Sequence, residues 1–300
     1  MLHSLQSVYG VKKMVHGQKN KNLNMKKTIL IALLFSAVIS LSCVCGGGKP
    51  AVATTPQPTD TTNYTYMFIF TGESNSGGET PNTSATPAEL APRSNVQILN
   101  NSSFVFEDLD IGTNNTIDHF GITCCTKHGW ELQLANRTDS LNSLYGDSVY
   151  LVKTGQGGSR LSQWSNKSGT YFSKFRQRVD TAEHYLSNRN VKKVIILSLG
   201  INDMIWDNGS ITNDSFRVQM IRHINNLRSV TGGNTPVVMT KFFGEFTRMN
   251  NAIDSVAMAM DSVYTIDTTG APTQDTAHWN YVGYKEIANR ILAKIEDLFF

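Results

Sequence analysis

Ser74 lies in Gly72-Glu73-Ser74-Asn75, directly after the apolar run 65–70. A serine hydroxyl is a weak nucleophile until a neighbouring base takes its proton. Asp275 and His278 stand three residues apart in Asp275-Thr276-Ala277-His278. A carboxylate so close to an imidazole can fix its tautomer and stabilise the imidazolium. Gly155-Gln156-Gly157-Gly158-Ser159 supplies glycines that let a backbone N–H approach a ligand, and Asn202 in Gly200-Ile201-Asn202-Asp203 carries a neutral amide donor. Both kinds of donor can hold a developing oxyanion. Taken singly, each stretch reads better as ordinary loop chemistry: a helix-capping serine, a flexible turn, an Asn-Asp cap, a chance histidine. Their order carries the signal, because all four follow one another at the ends of successive strand candidates. Together they are the parts of a nucleophilic acyl transfer.

Positioning such parts requires strands that end at them. Five runs qualify: 65–70, 148–154, 193–200, 236–241 and 263–267. Their continuous apolar character fits a sheet covered on both faces. Between them lie amphipathic helices. Residues 170–188 space Phe172, Phe175, Val179, Ala182 and Leu186 at helical steps, 213–229 do so with Phe216, Met220, Ile224 and Leu227, and 282–297 with Ile287, Ile291 and Ile295. The alternation predicts an α/β fold, a three-layer α/β/α sandwich around a mostly parallel five-stranded sheet. Ligands in such sheets bind beyond the carboxyl ends of the strands, where the four stretches fall. His184 and His223, on two of the helices, read as surface or boundary residues. Residues 76–147 form a long insertion expected to shape the cleft.

The composition, 40% hydrophobic and 17% charged, is that of a globular chain. The net charge of +3 is misleading, because six lysines and no acid lie within residues 1–42, leaving residues 63–300 at −3. A body of that sign has no concentrated positive face for phosphates, so no nucleic-acid partner is expected. Of the four cysteines, Cys43 and Cys45 precede the body, while adjacent Cys124 and Cys125 read as structural. No spacing resembles a zinc site, and the acyl-transfer chemistry needs no metal or organic cofactor.

The four blocks resemble those of the SGNH (GDSL-like) hydrolase superfamily, over about residues 64–300. The first, Gly-Glu-Ser-Asn, is similar to the Gly-Gln-Ser-Asn form of carbohydrate acetylesterases of the sialate O-acetylesterase and acetylxylan esterase type. GGSRLSQW (157–164) resembles that branch's Gly-Gly-[Ser/Thr]-x-x-x-x-Trp, and HGWELQLA (128–135) resembles a segment preceding it. Two departures stand out: Glu73 replaces the usual Gln or Asp, and Asn202 stands where many members of the carbohydrate branch carry a Gln-Gly-Glu block. The resemblance implies a serine esterase that removes O-acetyl groups from carbohydrate. Ser74 would be the nucleophile, His278 the base and Asp275 its orienting carboxylate, with Ser74, Gly157 and Asn202 forming the oxyanion hole. Gly158 is the alternative glycine and Asp267 the alternative carboxylate. Arg160 and Trp164 could line a sugar site, although packed or solvated roles suit them better. Two other readings stay open: a lysophospholipase or thioesterase acting on longer acyl esters, and a non-catalytic glycan-binding lipoprotein.

The N-terminal portion reads as an address. Residues 1–24 are polar and read as an over-extended start. From Met25, two lysines precede the apolar run 29–41, too short for a membrane-spanning helix, which needs about 20 residues. Residues 25–42 therefore read as a signal peptide. Cys43 after Ser40-Leu41-Ser42 resembles a bacterial lipoprotein box, and the Gly, Pro and Thr-rich stretch 43–62 reads as a flexible tether to the domain at 63–300. The expectation is an exported lipoprotein of the cell envelope that meets the membrane only through its lipid anchor, the alternative being an ordinary secreted protein.

Overall fold

The computed structural model describes residues 64–115, 126–140, 149–206, 210–244 and 246–300. The stretches read from sequence as a signal peptide and a tether lie outside them, as do Cys43, Cys45, Cys124 and Cys125.

Among the described residues the strands are β1 (Tyr64–Gly72), β2 (Thr80–Pro81), β3 (Arg93–Leu99), β4 (Phe106–Leu109), β5 (Lys127–His128), β6 (Val149–Gly155), β7 (Asn190–Ser198), β8 (Val237–Thr240) and β9 (Val263–Ile266). Seven of them form the main sheet in the order β4-β3-β6-β1-β7-β8-β9, and β2 pairs with β5. All neighbours in the main sheet run parallel except β4, which is antiparallel to β3. The sheet is thus two strands wider than the sequence suggests. Both additions come from the insertion after the first strand. Strand β3 buries only Val96, Ile98 and Leu99, and β4 is four residues long at the sheet edge. A search for continuous apolar runs passes over both, because β3 mixes polar with apolar residues and β4 is short and half-buried.

The central strand shows why the fold has three layers. Side chains alternate across a strand. Met67 and Ile69 pack with the helices Leu161–Trp164, Thr170–Tyr185, Asn213–Thr231 and Thr247–Ala259. Phe68 and Phe70 pack on the opposite face with Trp130–Ser140 and Tyr281–Phe299. Met67, Phe68 and Ile69 are fully buried, each worth about 1.5–3 kcal/mol relative to exposure. Local chemistry sets the helix ends. The Thr212 hydroxyl accepts from the Ser215 N–H at 3.1 Å to start Asn213–Thr231, and Asn280 accepts from the Gly283 N–H at 3.0 Å to start Tyr281–Phe299.

The segment HGWELQLA builds this frame. Trp130 packs among Phe70, Trp279 and Tyr284. Glu131 forms a buried ion pair with Lys153 at 2.8 Å and also accepts from Asn115 and the Gly129 N–H. Against the upward push of burial, Lys153 holds the Glu131 carboxyl below its ordinary range. His223 departs from expectation. It is fully buried, its ring 6.0 Å from that of Trp164, because its helix packs on the Leu161–Trp164 turn.

Candidate active site

Strand β1 lies between β6 and β7, and the carboxyl ends of these three strands hold the chemistry. Gly72 makes the first turn possible. Its φ is +125°, and a Cβ there would sit 1.9 Å from the Ser198 carbonyl oxygen. Free of that clash, the chain turns against β7 and the Glu73 N–H donates to the same carbonyl at 2.8 Å. A one-turn helix, Ser74–Gly77, follows, with the Ser76 and Gly77 N–H groups on the Glu73 carbonyl. The Ser76 hydroxyl pins the turn by donating to Thr71 at 2.5 Å and accepting from the Ser198 N–H at 3.2 Å. Ser74 is left 5% exposed at its surface.

His278 reaches Ser74 from the far end of the chain. Its loop is closed by the Thr273–Trp279 bridge and by the Gln274 N–H on the His278 carbonyl at 3.0 Å. Trp279 anchors it, buried between Phe243, Trp130 and Tyr284. His278 Nε2 lies 2.9 Å from Ser74 Oγ, and Nδ1 lies 2.9 Å from Asp275 Oδ2. Asp275 also accepts from the Ala277 and His278 N–H groups at 2.7 and 2.8 Å. Partial burial pushes its carboxyl up, but these hydrogen bonds outweigh it, so the carboxyl titrates below its ordinary value and stays ionised at neutral pH. Asp267, the alternative carboxylate, is engaged elsewhere, accepting from the Thr269 N–H and hydroxyl.

The two glycines after β6 differ in their surroundings. A Cβ on Gly157 would lie 4.0 Å from Ser74 Cβ, whereas one on Gly158 would meet nothing within 4 Å. Gly157 therefore borders the serine. Asn202 is buried at the start of the helix Ile201–Trp206, and its amide donates to the Ser159 carbonyl at 3.0 Å and to Glu73 Oε2 at 3.3 Å. In turn, Asn202 Oδ1 accepts from the Trp206 indole N–H at 3.3 Å.

Three residues near the serine were not assigned a role from sequence. Glu73 is fully buried, and its Oε2 accepts from the Gly200 and Ile201 N–H groups at 3.2 and 3.1 Å as well as from Asn202. Burial, reinforced by Asp203, raises its carboxyl well above the ordinary range against the pull of these donors. Asn75 ties the Ser74 turn to the histidine loop by donating to the Ala277 carbonyl at 2.9 Å, and Tyr284 donates to Asn75 Oδ1 at 3.2 Å. Its place next to Ser74 was the available signal. Glu79 sits 4.0 Å from the Gly157 Cβ position and pairs with Lys127 at 2.5 Å, a contact across 48 residues that no local pattern announces. Trp164, a sugar-site candidate, is instead buried and donates its indole N–H to Ser159 Oγ at 2.8 Å, holding the glycine loop. Arg160 caps the Leu161–Trp164 turn.

No curated protein matches the chain by sequence. Solved structures share its fold. A protein of Arabidopsis thaliana gives a TM-score of 0.63 at 18% identity, covering 79% of this chain and 100% of its own. NanS gives 0.55 at 12% identity, covering 79% and 98%. A carbohydrate acetylesterase from Xanthomonas citri gives 0.53 at 12% identity, covering 78% and 56%. A family model described as carbohydrate esterase, sialic acid-specific acetylesterase, matches residues 64–296, from the first residue of β1 to the last turn of the final helix. The sheet, the order of the four blocks and this match agree: the chain belongs to the sialic acid-specific acetylesterase family of carbohydrate esterases, a branch of the SGNH hydrolases that cleave carboxylic esters.

Proposed function

We propose that the protein removes O-acetyl groups from carbohydrate through a covalent acyl-enzyme on Ser74. The observation that carries this reading is the unbroken relay Ser74 Oγ–His278 Nε2–His278 Nδ1–Asp275 Oδ2, with 2.9 Å at each link. Ser74 Oγ attacks the acetyl carbonyl carbon while His278 Nε2 takes its proton. The carbonyl π pair moves onto oxygen, which the Ser74 and Gly157 N–H groups and the Asn202 amide receive. Asn202 joins by exchanging its long Glu73 contact for the oxyanion, which is shorter-range and charged. Collapse expels the sugar alkoxide, protonated by His278, and leaves acetyl-Ser74. Water, deprotonated by His278, then releases acetate and restores the serine. Asp275 stays ionised throughout and stabilises the imidazolium.

The test follows p-nitrophenyl acetate against p-nitrophenyl octanoate in wild type and Ser74→Ala. The expected result is acetate turnover preferred over octanoate, falling by about 10⁴-fold or more in the variant. Activity that climbs with chain length would favour the longer-acyl esterase, and acetate turnover independent of Ser74 would end the mechanism. We further propose that the enzyme is exported and tethered through a lipid on Cys43. Sequence alone supports this, and Cys43→Ala should move the protein from the membrane to the soluble fraction.

A further inference from the structure

The chain has four tryptophans, and three of them, Trp130, Trp164 and Trp279, are at most 1% exposed. Trp206 is 61% exposed. It stands one helical turn after Asn202, and its indole N–H is bonded to Asn202 Oδ1 at 3.3 Å. A large aromatic face is therefore kept in water and tied to a residue that also reaches Ser159 and Glu73. Leaving such a face uncovered forfeits its burial, which folding normally captures. Gly157, two residues before Ser159, borders Ser74, so Asn202 and the glycine loop connect the indole to the serine, and the exposed end of that chain of contacts is the rim.

The chemistry of that rim selects an occupant. The C–H bonds on one face of a sugar ring form an apolar surface of slightly positive hydrogens, which complements the negative face of an indole. In an acetylated sugar the ring is attached directly to the ester oxygen, so an acetyl group held at Ser74 brings the ring to the rim. We propose that Trp206 is the platform on which the sugar ring bearing the scissile acetyl group stacks, and that its indole N–H holds the Asn202 amide in its working orientation. This inference rests on the esterase reading given above. It assigns Trp206 two separable jobs: ring stacking, which acts on KM, and positioning of Asn202, which acts on kcat.

Two substitutions separate the jobs. Trp206→Phe keeps an aromatic face and loses the N–H, while Trp206→Ala loses both. The full chain is assayed by pH-stat with glucose pentaacetate, a sugar acetylated at every hydroxyl, and with ethyl acetate, which has the same acyl group and no ring. In Trp206→Ala the KM for glucose pentaacetate should rise about 3- to 10-fold, the range of one aromatic contact, and in Trp206→Phe it should stay within about twofold of wild type. The KM for ethyl acetate should move in neither. On both substrates kcat should fall about 2- to 10-fold in both variants, the effect of one neutral hydrogen bond. A binding readout needs no turnover: glucose pentaacetate should quench the tryptophan fluorescence of Ser74→Ala, and that quench should vanish in Ser74→Ala/Trp206→Phe.

An unchanged KM for glucose pentaacetate in Trp206→Ala, with Ser74-dependent hydrolysis intact, overturns the platform and leaves the esterase standing. An equal KM rise for ethyl acetate also overturns it, since that would be general damage. Hydrolysis of ethyl acetate but not glucose pentaacetate overturns it as well. Absence of Ser74-dependent hydrolysis of both esters removes the esterase reading and the platform together.

Discussion

Asn202 donates its side-chain amide at 3.3 Å to Glu73, the residue immediately before Ser74. One buried carboxyl thus joins the Ser74 turn to the strand end that carries the Asn202 amide. Glu73 also accepts the Gly200 and Ile201 N–H groups, which have moved out of water with it. This gives a role to the residue by which the first block departs from the Gly-Gln-Ser-Asn form: it closes the floor of the site as an acceptor for three donors.

That role predicts a contrast at position 73. Because burial raises the carboxyl well above its ordinary range, Glu73→Gln, a neutral isostere whose amide oxygen can sit where Oε2 lies, should keep kcat/KM within about threefold of wild type, one neutral hydrogen bond at most. Glu73→Ala strands two buried N–H groups and should cost about 1–3 kcal/mol for each donor left without a partner. Thermal melts and p-nitrophenyl acetate kinetics on both variants decide the matter. Equal losses in the two would mean that a charged Glu73 is required.

The two glycines at the end of β6 should fail differently. Gly157→Ala places a methyl in ordinary contact 4.0 Å from Ser74 Cβ. Folding should tolerate it, but the methyl enters the space an acyl group must use, so kcat/KM should fall at least about 10-fold with an unchanged melting temperature. Gly158 has φ +69°, so Gly158→Ala should cost about 1–2 kcal/mol of stability with far less effect on kcat/KM. The reverse pattern would make Gly158 the glycine that faces the substrate.

Asn75 bridges segments about 200 residues apart, from the Ser74 turn to the Ala277 carbonyl. Its loss should loosen the Ser74–His278 distance. We expect Asn75→Ala to lower kcat about 10- to 100-fold, the effect of a displacement of about 1 Å. Tyr284→Phe removes that hydroxyl's contacts to the Asn75 side chain and carbonyl but leaves the Asn75–Ala277 bond in place, and should cost about 0.5–1.5 kcal/mol in stability for each hydrogen bond. Stopped-flow acylation kinetics and urea melts separate the two effects.

His223 makes the fold acid-sensitive. Burial pushes its imidazole down to about 3, opposed by the Trp164 backbone. The unfolded chain, with an ordinary histidine, therefore binds more protons between about pH 6.5 and pH 3, and stability falls as pH drops through that window. The loss from this residue should approach about 1.4 kcal/mol per pH unit. His128, also lowered by burial, acts in the same direction. Urea midpoints at pH 7.0 and 4.5 should therefore differ less in His223→Leu than in wild type, and equal differences would mean that His223 does not carry this sensitivity.

How much of this was legible in the sequence depends on the distance over which each feature is encoded. The five strands covered on both faces, three of the helices and the order of the four blocks are local patterns. Apolar runs mark buried strands, helical steps mark the packed faces, and Ser74, Asn202, Asp275 and His278 are chemically distinctive at strand ends. Residue types and neighbours alone therefore determined the α/β class and which polar side chains stand at the strand ends. Tertiary structure decided the choices among chemically equivalent neighbours. It turned Gly157 rather than Gly158 toward Ser74, aimed His278 at Asp275 rather than Asp267, and sent Trp164 into the core while leaving Trp206 in water. It also added β3 and β4, whose mixed burial leaves no continuous apolar run, and buried His223 against Trp164. The physical reason is common to all of these. A side chain's direction and burial are set by partners tens to hundreds of residues away, as in the Ser74–His278 contact across 204 positions, and no window along the chain contains both ends of such a contact.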